Sequence, residues 1–281
     1  MPRIADDDWE LPEYSVEEYA EKSSEYCITF PVFNEGERIS IQLERLKSAC
    51  RNVDIIICDG DSTDGCTEAK KMKKHGVRAV IRKNGAGRMC AKIRLSLAYA
   101  LRQGYEGIMT ADGNNKDGVE AVPQYIAGFE AGCDVVLGSR YLPGGRSENT
   151  PLLRSLGIRL LHAPLMSLFA RRRLTDTTNP FRMYCRDYLL DSRLKPFRKI
   201  FDSYNLHYYL AFQAVKLGYR VEEIAVERSY PPDAPPPTHI TGIKEHGRIV
   251  LELLKTVTGG YDPPRRHARA APPTAGGIGS G

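Results

Sequence analysis

The feature that most narrows the fold of this chain is an alternation repeated five times in its first half. Short apolar runs at residues 27–32, 53–58, 77–81, 107–111 and 134–137 are each followed by a polar or glycine-rich segment. Apolar residues at helical spacing separate most of them: Ile39, Leu43 and Leu46; Ala69 and Met72; Ile93, Leu97 and Leu101; and a helical pattern over 119–130. The run at 53–58 is near-continuously apolar, as strands covered on both faces are. Strand-helix alternation of this length predicts an α/β fold, a Rossmann-like, mostly parallel central sheet flanked by helices.

The second half is less regular. Helices are expected over 152–172, 204–217 and 243–257, and strands over 181–185 and 221–227. The proline run at 231–237 reads as an extended loop, because proline removes a donor and fixes φ. Residues 1–25 read as an acidic lead-in with a short helix over 16–22, residues 26–262 as one domain, and residues 263–281, rich in Pro, Ala, Gly and Arg, as a disordered tail.

Composition sets limits on function. With 42% hydrophobic and 27% charged residues among 281, the chain reads as a globular protein with a sizeable core. A net charge of +5 is too small to imply nucleic acid, though a basic cleft for phosphates is compatible with it. The seven cysteines form no CxxC pair and read as reduced thiols of a cytoplasmic protein. The acidic start lacks the apolar region of a signal peptide. The longest apolar stretch, 160–170, is broken by His162 and Pro164 and followed by Arg171, Arg172 and Arg173.

In an open parallel sheet, ligands bind beyond the carboxyl ends of the strands. The segments there are Asn34-Glu35-Gly36, Asp59-Gly60-Asp61-Ser62-Thr63-Asp64-Gly65, Lys83-Asn84-Gly85-Ala86-Gly87-Arg88, Asp112-Gly113-Asn114-Asn115-Lys116-Asp117 and Gly138-Ser139-Arg140-Tyr141. Any one alone reads equally well as a turn; five on one edge point to a site. Asp59 is suited to accept hydrogen bonds from a base or ribose. Gly85 and Gly87 let backbone approach a phosphate, and Arg88 opens a helix whose N-terminus favours anions. Asp112 and Asn114 supply oxygen ligands two residues apart, suited to Mg²⁺ or Mn²⁺ bridging a diphosphate. Arg140 can clamp a phosphate.

These segments, with Pro31-Val32-Phe33-Asn34-Glu35, Ala111-Asp112-Gly113, Gly144-Gly145 and the block from Asp176 to Asn179-Pro180-Phe181-Arg182, occur in the order seen in family 2 glycosyltransferases. The chain resembles most closely the dolichyl- and polyprenyl-phosphate mannosyl- and glucosyltransferases. The resemblance covers about residues 26–230. It implies a GT-A fold, a UDP- or GDP-linked sugar donor, Mg²⁺ or Mn²⁺, and inversion at the anomeric carbon. It places Pro31, Phe33, Glu35, Asp59, Asp61, Gly85, Arg88, Ala111 and Asp112 along the donor, and the metal on Asp112 and Asn114. Three departures stand out. The family's Asp-x-Asp reads Thr110-Ala111-Asp112, its Ser-Gly-Phe-Arg reads Asn179-Pro180-Phe181-Arg182, and the C-terminal transmembrane helices of many members have no counterpart.

An inverting transfer is a single in-line displacement that needs positive charge on the leaving diphosphate. Arg182, with Arg88 or Lys83, is expected near phosphates. A phosphate acceptor would be oriented by Arg140 and need no base; a hydroxyl acceptor would need Asp176 as general base. His162, His207 and His246 show no metal spacing and read as structural or surface residues; Lys244 is a candidate lid residue over the donor phosphates. Leu153, Leu156, Leu160 and Leu161 recur at helical spacing with arginines around them, which suits either a cover over the sheet or a membrane surface. With no second membrane signal, the sequence favours a soluble enzyme with a small acceptor bearing a phosphate or phosphonate. The alternatives are a peripheral-membrane polyprenyl-phosphate glycosyltransferase and, given Thr110, a catalytically inactive nucleotide-sugar-binding module. A nucleotidyltransferase would carry its glycine-rich loop after the first strand; here the glycines follow the third.

Overall fold

The structure, a computed structural model, describes residues 6–230 and 242–264, with the side chains of 242–246 left aside. The proline run 231–237, the tail from 265 and the side chains of Lys244 and His246 therefore lie outside the described residues.

The first half builds as expected. Strands β2 (Tyr26–Val32), β3 (Asp54–Asp59), β4 (Val77–Lys83), β5 (Gly107–Thr110) and β6 (Val135–Ser139) follow a first strand, β1 (Tyr14–Glu18). They alternate with helices α1 (Glu37–Ala49), α2 (Ala69–Lys74), α3 (Met89–Arg102) and α4 (Val122–Glu130). In the second half come β7 (Arg146–Glu148), α5 (Leu152–Gly157), α6 (Ala163–Ala170), β8 (Arg182–Cys185), α7 (Arg186–Leu190), α8 (Asn205–Lys216), β9 (Val221–Ala225), β10 (Glu227–Ser229) and α9 (Gly242–Val257). One eight-stranded sheet has the order β1-β4-β3-β2-β5-β8-β6-β9, and β10 pairs with β7 in a second, two-stranded sheet. The pairs among β4, β3, β2 and β5 are parallel, as is β6 with β9. Strand β8 runs antiparallel between β5 and β6.

Burial on both faces explains the unbroken apolar runs. Along β3, Ile55 and Ile57 pack with α1 residues Ile39, Leu43 and Leu46, while Ile56 and Cys58 pack with α3 and α8 on the opposite face. Successive side chains of a strand point to opposite faces, so a strand covered on both sides must be apolar at every position.

The lead-in reading needs correction. Residues 14–18 form β1 (Tyr14–Glu18), an edge strand antiparallel to β4, rather than the start of a helix. Glutamate-rich composition favours a helix locally, but Tyr14 and Val16 alternate with polar residues and pack against the core. Arg82 bonds Glu17 at 2.7 Å and Tyr99 donates to Glu18 at 2.5 Å across that edge.

The helical stretch Leu152–Ala170 is continuous but contains a π turn at Ile158–His162. Pro164 lacks the N–H that would bond the carbonyl one turn back, and the wide turn accommodates it. All seven cysteines are free thiols, as expected.

Candidate active site

The parallel strands deliver their carboxyl ends to one edge. The β2 and β3 ends touch directly: the Gly60 N–H donates to the Val32 carbonyl at 2.9 Å. The β5 loop lies equally close. A Cβ at Gly113 would sit 2.9 Å from Val32 Cγ2 and 3.1 Å from the Pro31 carbonyl oxygen, so only glycine fits there. Ala111 and Pro31 are both buried at this junction.

The loop after β5 is held by residues that sequence reasoning passed over. Gln42, on α1, donates to the Asp112 carbonyl at 2.8 Å and accepts the Asn115 N–H at 2.7 Å. The Asp117 carboxylate accepts the Asp112 N–H at 2.9 Å. Arg228, in β10, then bridges the two acids: its Nη2 lies 2.6 Å from Asp112 Oδ2 and its Nη1 bonds Asp117 Oδ1. An arginine before a proline-rich run carries no motif, so only the pairing of β10 beside residues 116–118 reveals it.

Burial raises the Asp112 carboxyl, but Arg228 and Lys116 outweigh it and hold the group well below the usual carboxylate range. Asp112 is therefore an anion at any working pH. Burial, reinforced by Arg228, pushes the Lys116 ammonium down to about 8. Asp112 meets Arg228 through Oδ2, and among the described residues the buried Asn114 Oδ1 has no hydrogen-bond partner. Two oxygen donors from one loop, one anionic and one orphaned, fit a hard divalent cation that takes its remaining ligands from a diphosphate and water. Among the described residues no cluster of three His, Cys, Asp or Glu could hold a metal without such help.

Thr110 does not contribute. It is buried, and its hydroxyl donates to the Pro180 carbonyl at 2.9 Å, under the sheet edge. Thr110→Asp is expected to leave Mn²⁺ affinity unchanged and to destabilise the fold by on the order of 3 kcal/mol, because it buries a carboxylate against a carbonyl oxygen. Manganese titration and urea unfolding measure both; tenfold tighter Mn²⁺ binding would show that residue 110 turns toward the metal.

The donor-side residues divide. Phe33 and Asp61 are exposed at the strand ends. Glu35 is part-buried and pairs with Arg38 at 3.0 Å; burial raises its carboxyl despite Arg38, and Asp112 raises it further. Asp59, by contrast, is 1% exposed. It accepts from Ser62 at 2.6 Å, Thr67 at 2.7 Å and Arg82 at 2.7 Å. Its carboxylate shapes the loop from beneath through these three partners. Gly85 and Arg88 each have close neighbours of their own. A Cβ at Gly85 would meet the Glu13 backbone at 2.9 Å, so this glycine lets the N-terminal segment cross. Asp202 takes the first N–H groups of α3, its Oδ1 accepting from Arg88 N at 2.8 Å and its carbonyl from Cys90 N at 3.1 Å.

The three residues read as catalytic are all committed elsewhere. Arg140 holds Asp176 in a buried two-pronged pair, Nε to Oδ2 at 2.6 Å and Nη2 to Oδ1 at 2.9 Å. Burial raises the Asp176 carboxyl, but the Arg140 charge and hydrogen bonds outweigh it and lower it overall. Such a group is a poor base, and Arg140 is not open to an acceptor. Arg182 is buried too; it donates to the carbonyls of Asn179 at 2.7 Å, Thr177 at 2.8 Å and His207. The spacing of these blocks is legible in sequence, but whether a charged side chain faces ligand or its own fold is not. His162 and His207 are buried and pushed down to about 3 by desolvation, then Arg182, which keeps both neutral and agrees with their structural reading.

Parallel strands that end in polar loops on one edge, with β8 inserted antiparallel between β5 and β6, form an α/β sheet of the kind transferases use. The glycosyl transferase family 2 profile matches residues 27–192, and the chain belongs to that family. It is a glycosyltransferase with the GT-A fold. Polyprenol monophosphomannose synthase of Mycolicibacterium smegmatis is 26% identical over 207 residues, 71% of this chain and 75% of its own. Undecaprenyl-phosphate mannosyltransferase of Micrococcus luteus is 25% identical over 202 residues, 70% and 80% of the two chains. Glucosyl-3-phosphoglycerate synthase from Mycobacterium tuberculosis, in complex with UDP, has a TM-score of 0.61 at 14% identity, covering 83% of this chain and 80% of its own.

Proposed function

We propose that this protein transfers a sugar, with inversion, from a UDP- or GDP-linked donor to an acceptor that bears a phosphate. The observation that carries the acceptor class is the buried Arg140–Asp176 pair. It removes the carboxylate that a hydroxyl acceptor would need as base, whereas a phosphate monoester brings an oxygen that is already anionic. Glu35 and Asp112 are paired as well, with Arg38 and Arg228. The relatives support the same chemistry from two directions: the sequence relatives are named for polyprenyl phosphates, and solved neighbours hold UDP and Mn²⁺ with phosphoglyceric acid.

Asp112 and Asn114 would hold Mg²⁺ or Mn²⁺, which neutralises charge on the leaving diphosphate. Arg228 is held by Asp112 and Asp117, so it and Lys116 would act on a diphosphate there through their charge beside the loop and not as direct ligands. Phe33, Glu35 and Asp61 line the donor side.

The test has two stages. Thermal shifts with UDP- and GDP-sugars in Mn²⁺ should show one donor stabilising the protein, by about 2.7 kcal/mol at a hundredfold excess over Kd. Labelled sugar from that donor should then pass to phosphate monoesters and not to the corresponding alcohols. Transfer to the alcohols at equal rate would overturn the acceptor assignment.

A further inference from the structure

The stretch Leu152–Ala170 is apolar on two opposite faces. The inner face, Ile158, His162, Ala163 and Met166, is buried in the domain, and α6 packs against both α8 and α9. The outer face remains in solvent: Leu152, Leu153, Leu160 and Leu168 are 74%, 72%, 73% and 71% exposed. Leu156, Leu161 and Phe169 are exposed as well, and α9 adds Val250, Leu251 and Leu254. A helix apolar all round belongs in a core or against lipid, and a folded monomer rarely leaves so large an apolar patch in water. The buried inner stripe means that the helix lies along the domain and does not leave it to cross a bilayer.

Charge identifies the occupant. From residue 149 to residue 175 there are five arginines, Arg154, Arg159 and Arg171 to Arg173, and no Asp or Glu. Arg159 and Arg171 to Arg173 are exposed. Leucines projecting from a helix rimmed by arginine match an interface of acyl chains and anionic headgroups. The chain's own remaining segments do not match. Residues 1–5, 231–241 and 265–281 offer only Met1, Ile4, Ile240 and Ile278 as large apolar side chains to cover this row of leucines. The surface also adjoins the strand ends: the Ser155 hydroxyl lies 3.4 Å from the hydroxyl of Tyr141, just past β6.

We propose that the outer face of residues 152–173 docks the protein on an anionic lipid surface, the helix lying in the plane of the headgroups. The partner is a bilayer, and a phosphate-bearing acceptor held in that bilayer would reach the site at the strand ends without leaving it. Docking itself does not depend on the proposed function; only this delivery of acceptor does.

Flotation of the full chain with vesicles tests it. The protein should float with mixed phosphatidylcholine and phosphatidylglycerol vesicles and not with phosphatidylcholine alone. Raising salt from about 0.1 to about 1 M, which shortens the screening length from roughly 10 to roughly 3 Å, should weaken binding. Leu160→Glu with Leu168→Glu should cut the floated fraction by roughly tenfold, as should Arg171→Glu with Arg173→Glu. All four positions are exposed, so unchanged melting is expected for both variants. Absence of wild-type flotation, or flotation unaffected by the leucine changes, overturns the proposal. A dimer that forms without vesicles and is lost in the leucine variant overturns it in favour of a second copy. Donor thermal shifts in solution keep the two ideas separate: donor binding without flotation sinks only the docking, and flotation without donor binding sinks only the function.

Discussion

Asp112→Asn should lower sugar transfer by at least about 10²-fold while the protein stays folded. Asp112 lies on a loop at the end of β5 and contributes the one ionised oxygen donor beside Asn114. Replacing it with an amide keeps the shape and removes the charge, so affinity for Mn²⁺ should fall together with turnover. The fold should survive because Arg228 keeps its second partner, Asp117, and Gln42 still holds the Asp112 and Asn115 backbone. Because Arg228 and Lys116 keep Asp112 ionised, the loss should appear across the whole working pH range. Turnover, Mn²⁺ titration by magnetic resonance and thermal unfolding read the three parts. Unchanged turnover in a folded variant would place the metal elsewhere.

Asp176→Ala should cost about 3–5 kcal/mol of stability, a large share of what a domain has. The change leaves the Arg140 guanidinium buried without its counter-charge, since Arg140 is engaged by Asp176 through both Nε and Nη2. Loss of activity in that single variant would therefore say little about catalysis. The informative variant is Arg140→Met with Asp176→Leu, which removes both charges and fills similar volume; such replacements are often neutral in stability. If the pair is structural, this double variant should fold and keep kcat within about tenfold of wild type. A general base contributes roughly 10²–10⁴-fold, so a folded double variant that has lost about 10³-fold in kcat would restore Asp176 to the role read from sequence. Urea unfolding with steady-state kinetics decides between the two.

The two results would test different kinds of legibility. Asp112 and Asn114 stand out by spacing, because two oxygen-bearing residues on one loop are a local pattern and need only their strand to bring them to the edge. Arg140, Asp176 and Arg182 stand out as blocks, but what they bond to does not. Their partners are 36 residues apart in the first pair and 25 from Arg182 to the His207 carbonyl, and no local pattern encodes such a pairing. Arg228 was missed for the same reason: it meets Asp112 across 116 residues. Lead-in residues 14–18 were misread because edge-strand pairing with β4 overrode a glutamate-rich local preference.

The sequence by itself determined the α/β class, the alternation of strands and helices from β2 to β6, and the sheet edge to which the polar loops are delivered. Those features rest on short-range periodicity and on the rule that parallel strands present their carboxyl ends together. Tertiary structure alone decided which charges are available to substrate. A guanidinium or carboxylate reads the same in sequence whether it meets solvent, a phosphate or its own backbone, and only packing pairs Arg140 with Asp176 and brings Arg228 to Asp112. It also decided that the leucines from 152 to 168 face outward, because helical spacing shows that two apolar faces exist and cannot show which of them the domain covers.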